Sequence, residues 1–323
     1  TWAIRLMMDG QPIDTLLGPR EKGLPTTNPK LVQKLVQQAR IDSSGLVRLT
    51  LASALQRLPI SLRRELAKGL ASRQEDANDH NLPMIVWAGI TPMVENDPDG
   101  LLAIARSSQW PVLRTWIARA ITERSKEQPM VFHSLLNLIV EQPNHTESLL
   151  AGIERAVLGI KGFLKPAKWD LVRSKLSMNP TVLKLSVIFG DIQATHEMEK
   201  VVVDEKVDSN IRRQTLGILI DSDTPNRQFL CEKLLKDPEL KVIAVRGLAK
   251  YENVEIGEKI INRLDEFSKA EQSEVVEILC GRVSWAGFLL EEIKRGKISK
   301  SVITPYHATQ IQALTSDELN SKL

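Results

Sequence analysis

The chain has 323 residues, a net charge of +3, 42% hydrophobic and 26% charged residues, and only 4% aromatics. That length exceeds one ordinary core, so it calls for two domains or an elongated repeat array, and the aliphatic-rich, aromatic-poor composition favours packed helices over a β-sandwich. The small net charge argues against a dedicated nucleic-acid binder, whose domain carries a basic excess on one face, and no run reaches the ~20 apolar residues of a membrane span.

Taken in order, Thr1 to Met8 (TWAIRLMM) reads as the second helix of a pair, already in mid-pattern at its first residue, as in a segment of a longer protein. Gly10 to Thr27 is rich in Gly, Pro and Thr and reads as a long loop. Asn28 then caps a helix that opens on Pro29. Leu31, Leu35 and Gln38 define one of its faces, with Val32, Val36 and Ala39 beside it. Ser43-Ser44 starts the partner helix, GLVRLTLASALQRL, which ends before Pro59.

The same two-helix unit recurs along the chain. Ser61–Ala71 pairs with Asn81–Ile90, Pro98–Ser107 with Pro111–Thr122, and Pro129–Val140 with Thr146–Leu158. Further on, Ala167–Ser177 pairs with Thr181–Phe189, Asp191–Val203 with Ser209–Ile220, and Asn226–Leu235 with Glu239–Ala249. Val254–Phe267 with Ala270–Cys280, then Ser284–Arg295 with Ser301–Leu314, close the series.

The apolar residues that open the second helices are Val47, Met84, Leu113, Val182, Ile211, Val242 and Val275. They lie 37, 29, 69, 29, 31 and 33 residues apart, the 69 spanning two units. A helix–turn–helix period of this size is the signature of an α-solenoid. Asp or Pro often precedes the second helix and a basic residue follows early, as in Val47-Arg48, Leu113-Arg114 and Ile211-Arg212. That resembles the HEAT pattern; the tetratricopeptide and ankyrin signatures are absent. The expected fold is therefore an all-α HEAT-like α-solenoid of about nine helix pairs, one repeat domain over 1–323. Residues 1–27 form a partial repeat plus loop, 28–165 irregular repeats and 166–323 more regular ones, with a kink near 160–180.

Candidate sites are few. Asp79, His80 and Asn81 lie in EDANDHNLPMIVWAGI, a polar loop running into a helix that carries Trp87. An acid, an imidazole and an amide at a helix start would suit a polar pocket for an anion or a sugar; the alternative is a helix cap. Trp110 and Arg114, with Trp116 and Arg119 nearby, would suit a surface contact by stacking and phosphate capture. The alternative is that Trp110 packs against the preceding helix.

His196-Glu197-Met198-Glu199-Lys200 lacks the second His of a zincin and reads as a solvated helix face. Cys231 and Cys280 each end an apolar helical run and read as buried free thiols. Phosphate-binding glycine loops and the nucleophile-elbow motif are absent, so neither catalytic, cofactor-binding nor metal-ligating residues are assigned.

Five stretches together carry a resemblance: TWAIRL, LVRLTLASALQRLP, EDANDHNLPMIVWAGI, GLAKY and QIQALTSDEL. They resemble the helical region of the large exported membrane-bound dehydrogenase-like, haem-binding proteins of planctomycetes, verrucomicrobia and Bacteroidetes. In that family a dehydrogenase-like propeller precedes the helical region and a cytochrome c domain follows it. The resemblance implies a periplasmic or secreted scaffold that is not itself an enzyme and holds no cofactor. It would space or dock redox modules of the same polypeptide, with other proteins or a polysaccharide as further partners and no nucleic acid. It carries no catalytic or haem-ligand residue onto this chain. Two alternatives from other classes stand beside it: a HEAT-like DNA-binding enzyme of the alkylpurine DNA glycosylase type, and a stand-alone protein-binding array.

Overall fold

A computed structural model describes residues 1–11, 13, 28–160, 163–177, 179–222, 224–314, 316 and 319. Most of the 10–27 loop, Lys161-Gly162 and the C-terminal end therefore lie outside the described residues. Among those described, every regular element is a helix. The chain packs as two compact units, residues 1–189 and 190–323. The division falls after the 166–180 stretch, where the sequence changes character.

The first unit contains α1 (Trp2–Asp9), α2 (Pro29–Ile41), α3 (Gly45–Ala54), α4 (Ile60–Ala71), α5 (Leu82–Ile90) and α6 (Met93–Asn96). It continues with α7 (Pro98–Ser107), α8 (Pro111–Glu123), α9 (Pro129–Glu141), α10 (Thr146–Val157), α11 (Trp169–Lys175) and α12 (Pro180–Ile188). Packing within it is alternate. One layer runs α1, α3, α5, α8, α10, α12, each helix touching the next in that series, and the other runs α2, α4, α7, α9, α11. Successive pairs share one continuous apolar core from Ile4 to Phe189.

The second unit contains α13 (Ile192–Val203), α14 (Ser209–Asp221), α15 (Arg227–Leu234), α16 (Lys241–Leu248), α17 (Val254–Ile261), α18 (Lys269–Cys280), α19 (Val283–Lys294) and α20 (Pro305–Ala313). Here α14, α16, α18 and α20 follow one another in a layer, while α13, α15 and α19 pack against α14, α16 and α18 respectively. No helix among the described residues is long and apolar enough to cross a membrane.

Local chemistry explains where the helices begin. Side-chain oxygens of Asn28, Ser44, Asp97, Asn179, Asp191, Asp208 and Asn253 accept hydrogen bonds from first-turn N–H groups. Each such cap contributes about 1 kcal/mol. Ser268 and Glu271 cap reciprocally at the start of α18. In α2 the buried stripe is Val32, Leu35 and Ala39, and Gln38 faces solvent. The face expected through Leu31 and Gln38 is thus rotated, because α4 lies against the Val32–Ala39 side and closes on Ala39 through Gly69.

Close approach is strongest between α8 and α10. Gly152 on α10 sits where an added Cβ would fall 2.6 Å from the Ala118 Cβ. No side chain fits there unless one backbone retreats.

Candidate functional site

Arg48, Arg114 and Arg212 occupy corresponding places in three helix pairs. Each sits at the fourth residue of a second helix, α3, α8 or α14, and each is at least 95% buried, with 4%, 5% and 4% exposure. Each reaches back to a main-chain carbonyl before its own helix. Arg48 Nη1 donates to the Asp42 oxygen at 2.8 Å, Arg114 Nη1 to the Ser108 oxygen at 2.6 Å, and Arg212 Nε to the Val202 oxygen at 2.8 Å.

Forward, toward the next pair, they differ. Arg48 grips Asp76 through both Nε and Nη2, the latter at 2.6 Å from Oδ1, and Arg212 Nη2 binds Asp237. Both acids belong to the turn that precedes the following second helix. Asp237 also accepts from the Glu239 and Leu240 N–H groups at 2.9 and 3.1 Å. At Arg114 the forward acceptor is only a hydroxyl: Nε donates to Ser148 Oγ at 2.8 Å, and Ser148 in turn donates to the His145 carbonyl at 2.9 Å.

The electrostatics follow the geometry. The hydrogen bond it donates to Asp76 holds the Arg48 guanidinium above its ordinary pKa despite burial. Burial alone pushes Arg114 below it, with no carboxylate opposing. Burial, and then the Arg114 charge, pushes the His145 imidazole below its ordinary value, and His145 Nδ1 is a buried atom with no hydrogen-bond partner.

The expected site residues do not assemble into a pocket. Asp79, His80 and Asn81 are all exposed. Asp79 Oδ1 accepts from the N–H groups of Asn81 at 2.9 Å and Leu82 at 2.8 Å. Those bonds, the Leu82 one foremost, hold the Asp79 carboxyl below its ordinary pKa. Asp79 therefore closes the turn that launches α5, which is the capping alternative.

Trp110 and Arg114 as a surface contact are corrected by burial. Trp110 is wholly buried and its Nε1 donates to the Arg73 carbonyl at 2.7 Å, while the Gln109 N–H reaches the Ala71 oxygen at 2.7 Å. These contacts fasten the start of α8 to the end of α4. Trp116 and Trp87 are half-buried neighbours, with ring centroids 6.2 Å apart, and the exposed Arg119 pairs with Glu123 at 2.7 Å. Neither Trp110 nor Arg114 is placed to stack on a base, whereas Trp116 is half-buried and Arg119 exposed.

His196 lies on the exposed side of α13, with Nδ1 3.0 Å from Glu199 Oε2. These two residues line a groove of about 490 Å³ between α13 and α15, together with Lys200, Val203, Phe229 and Lys233. Phe229 is 76% exposed there. A second groove, of about 520 Å³, lies between α19 and the start of α20, with Leu290, Ile293, Ile303 and Ala308 on its walls and Lys294 and Lys300 at its edge. Cys231 and Cys280 are buried free thiols, pushed up by burial to about 11 and about 12, and so remain protonated and unreactive near neutral pH. Among the described residues no three His, Cys, Asp or Glu side chains gather as a metal-ligand set.

Neither the forward partners of the arginines nor the grooves were singled out from the sequence. The arginine positions themselves were, through the Val-Arg, Leu-Arg and Ile-Arg openings. Comparison with family models, characterised proteins and solved structures gives no match.

Proposed function

We propose that the chain is a HEAT-like helical-repeat scaffold, non-catalytic in itself, whose work is to hold partners in register. The observation that carries this reading is the repeated arginine junction: a buried guanidinium links the carbonyls before one second helix to the turn of the next pair at Arg48 and Arg212. A chain built of such units stabilises each pair through its neighbours and leaves the outer helix faces available for contact. Asp79 is used in capping, and Trp110 and Arg114 in packing, which supports the same reading.

Following the resemblance in the sequence, we assign the scaffold to an exported redox protein, where it spaces a dehydrogenase-like propeller from a cytochrome c domain. The test uses the intact native polypeptide, its mass and its reduced-minus-oxidised visible spectrum. A polypeptide far heavier than 36.2 kDa with a c-type haem band supports the assignment. A native protein of this size without haem overturns the redox placement and leaves a stand-alone protein-binding array.

A further inference from the structure

The groove between α13 and α15 brings an uncovered aromatic ring together with unanswered positive charge. Val203 and Leu230 line it, and so does Phe229, which at 76% exposure is the most exposed large hydrophobic side chain described in the second unit. A single exposed phenylalanine is ordinary on a protein surface. What sets this one apart is the charge around it.

Lys200 and Lys233 line the same groove, and neither forms an ion pair among the described residues. The nearby acids are already engaged: Glu232 holds Lys259 at 2.5 Å, and Glu199 Oε2 lies 3.0 Å from His196 Nδ1. Other cations of this unit that reach from one helix to the next do meet an acid, as Lys241 meets Glu271 and Arg246 meets Glu274. The groove therefore keeps a cationic edge that the fold itself does not answer. It also holds an idle acceptor. Glu199 Oε1 is buried with no hydrogen-bond partner, yet the side chain keeps 18% exposure, and the terminal torsion of a glutamate turns easily.

We infer that this groove docks an extended acidic and apolar peptide segment of a partner protein. Its acids meet Lys200 and Lys233, its apolar side chains cover Phe229, and a main-chain N–H serves Glu199. An extended segment suits that last contact because its N–H groups are free, whereas a helix uses its own internally. A basic segment would set its charges against the two lysines. The volume of about 490 Å³ is in the range of sites that take a small ligand or a few side chains. The inference rests on the scaffold reading in taking the occupant to be a protein, and deepens it by giving that partner's chemistry; the redox placement does not enter.

The experiment is fluorescence polarisation of a labelled short peptide alternating aspartate and leucine, titrated with the full chain at low salt. Control peptides alternate lysine with leucine and aspartate with serine. The aspartate–leucine peptide should bind saturably and at least about tenfold more tightly than either control, and more weakly as salt is raised. Phe229→Ala should weaken it about fivefold or more, and Lys200→Glu with Lys233→Glu about tenfold or more. All three residues are exposed, so the variants should keep the wild-type denaturant midpoint within about 0.5 kcal/mol of stability. No binding overturns the proposal, and so does equal binding by the variants, because the peptide then sits elsewhere. Equal binding of the aspartate–serine peptide overturns it as well, since the lysines then attract anions without the groove. Self-association of the chain that Phe229→Ala abolishes also overturns it, because the occupant is then a second copy. The mass and spectrum of the intact polypeptide are read separately. Failure of the peptide alone removes this docking site and leaves the scaffold reading standing; binding to a haem-free protein of this size keeps the site and removes the redox placement.

Discussion

Arg48 and Arg114 stand at the same position of their helices, yet their junctions are held by different physics. At Arg48 a buried carboxylate fills the forward side and the charge is compensated within the fold. At Arg114 the forward contact is a serine, and the helices that carry the two residues, α8 and α10, approach so closely that only glycine fits at residue 152. One junction is an ion-pair joint and the other a backbone-packing joint with a charge left over. The same helix position therefore specifies where an arginine goes but not what answers it.

The contrast can be broken from either side. The largest expected effect is at the ion-pair joint. Asp76→Ala leaves Arg48 buried without its acid and should destabilise by about 3–5 kcal/mol, read from the denaturant midpoint. At the packing joint Gly152→Val should cost about 1–3 kcal/mol or more, since the added atoms meet the α8 backbone rather than a yielding side chain. Ser148→Asp should move in the opposite direction and stabilise by about 1–2 kcal/mol, as an ionised acceptor replaces a neutral one opposite the Arg114 guanidinium. If it destabilises instead, the Arg114 charge is not the cost we take it to be.

Smaller effects sharpen the same picture through pH. The folded state depresses the His145 pKa, so below the ordinary histidine value of about 6.5 the unfolded chain binds the proton more readily. Stability should therefore fall as pH drops from that value toward the lower folded one, and His145→Gln should remove that part of the slope. Asp79 behaves as a depressed carboxylate: its contribution is present above its ordinary value near 3.8 and is lost as pH falls through its folded value. Replacing it in Asp79→Ala should cost about 1 kcal/mol, as loss of a cap does. A larger loss, or a loss of ligand binding without loss of stability, would give the Asp79–Asn81 stretch a role beyond capping.

Much of the helical plan was legible because its signals are local. Asn28-Pro29, Asp97-Pro98 and Asn179-Pro180 announce helix starts by chemistry contained within three residues, and the structure starts helices there. The arginine openings were legible for the same reason. Their partners were not: Asp76, Ser148 and Asp237 lie 28, 34 and 25 residues downstream, and only the stacking of one helix pair on the next brings them in. Trp110 misleads for a related reason. Its place before a proline at a helix start points to packing and its neighbouring arginine to a surface contact; the Arg73 carbonyl, a contact across 37 residues, decides for packing. Asp79 could be read either way from sequence, and two hydrogen bonds from its own turn decide it.

The most direct test of the two-joint account is a pair of double-mutant cycles, Arg48→Met with Asp76→Ala and Arg114→Met with Ser148→Ala, each measured by denaturant unfolding. The account predicts a coupling above about 2 kcal/mol for Arg48 and Asp76 and below about 1 kcal/mol for Arg114 and Ser148. Equal couplings at the two joints would contradict it.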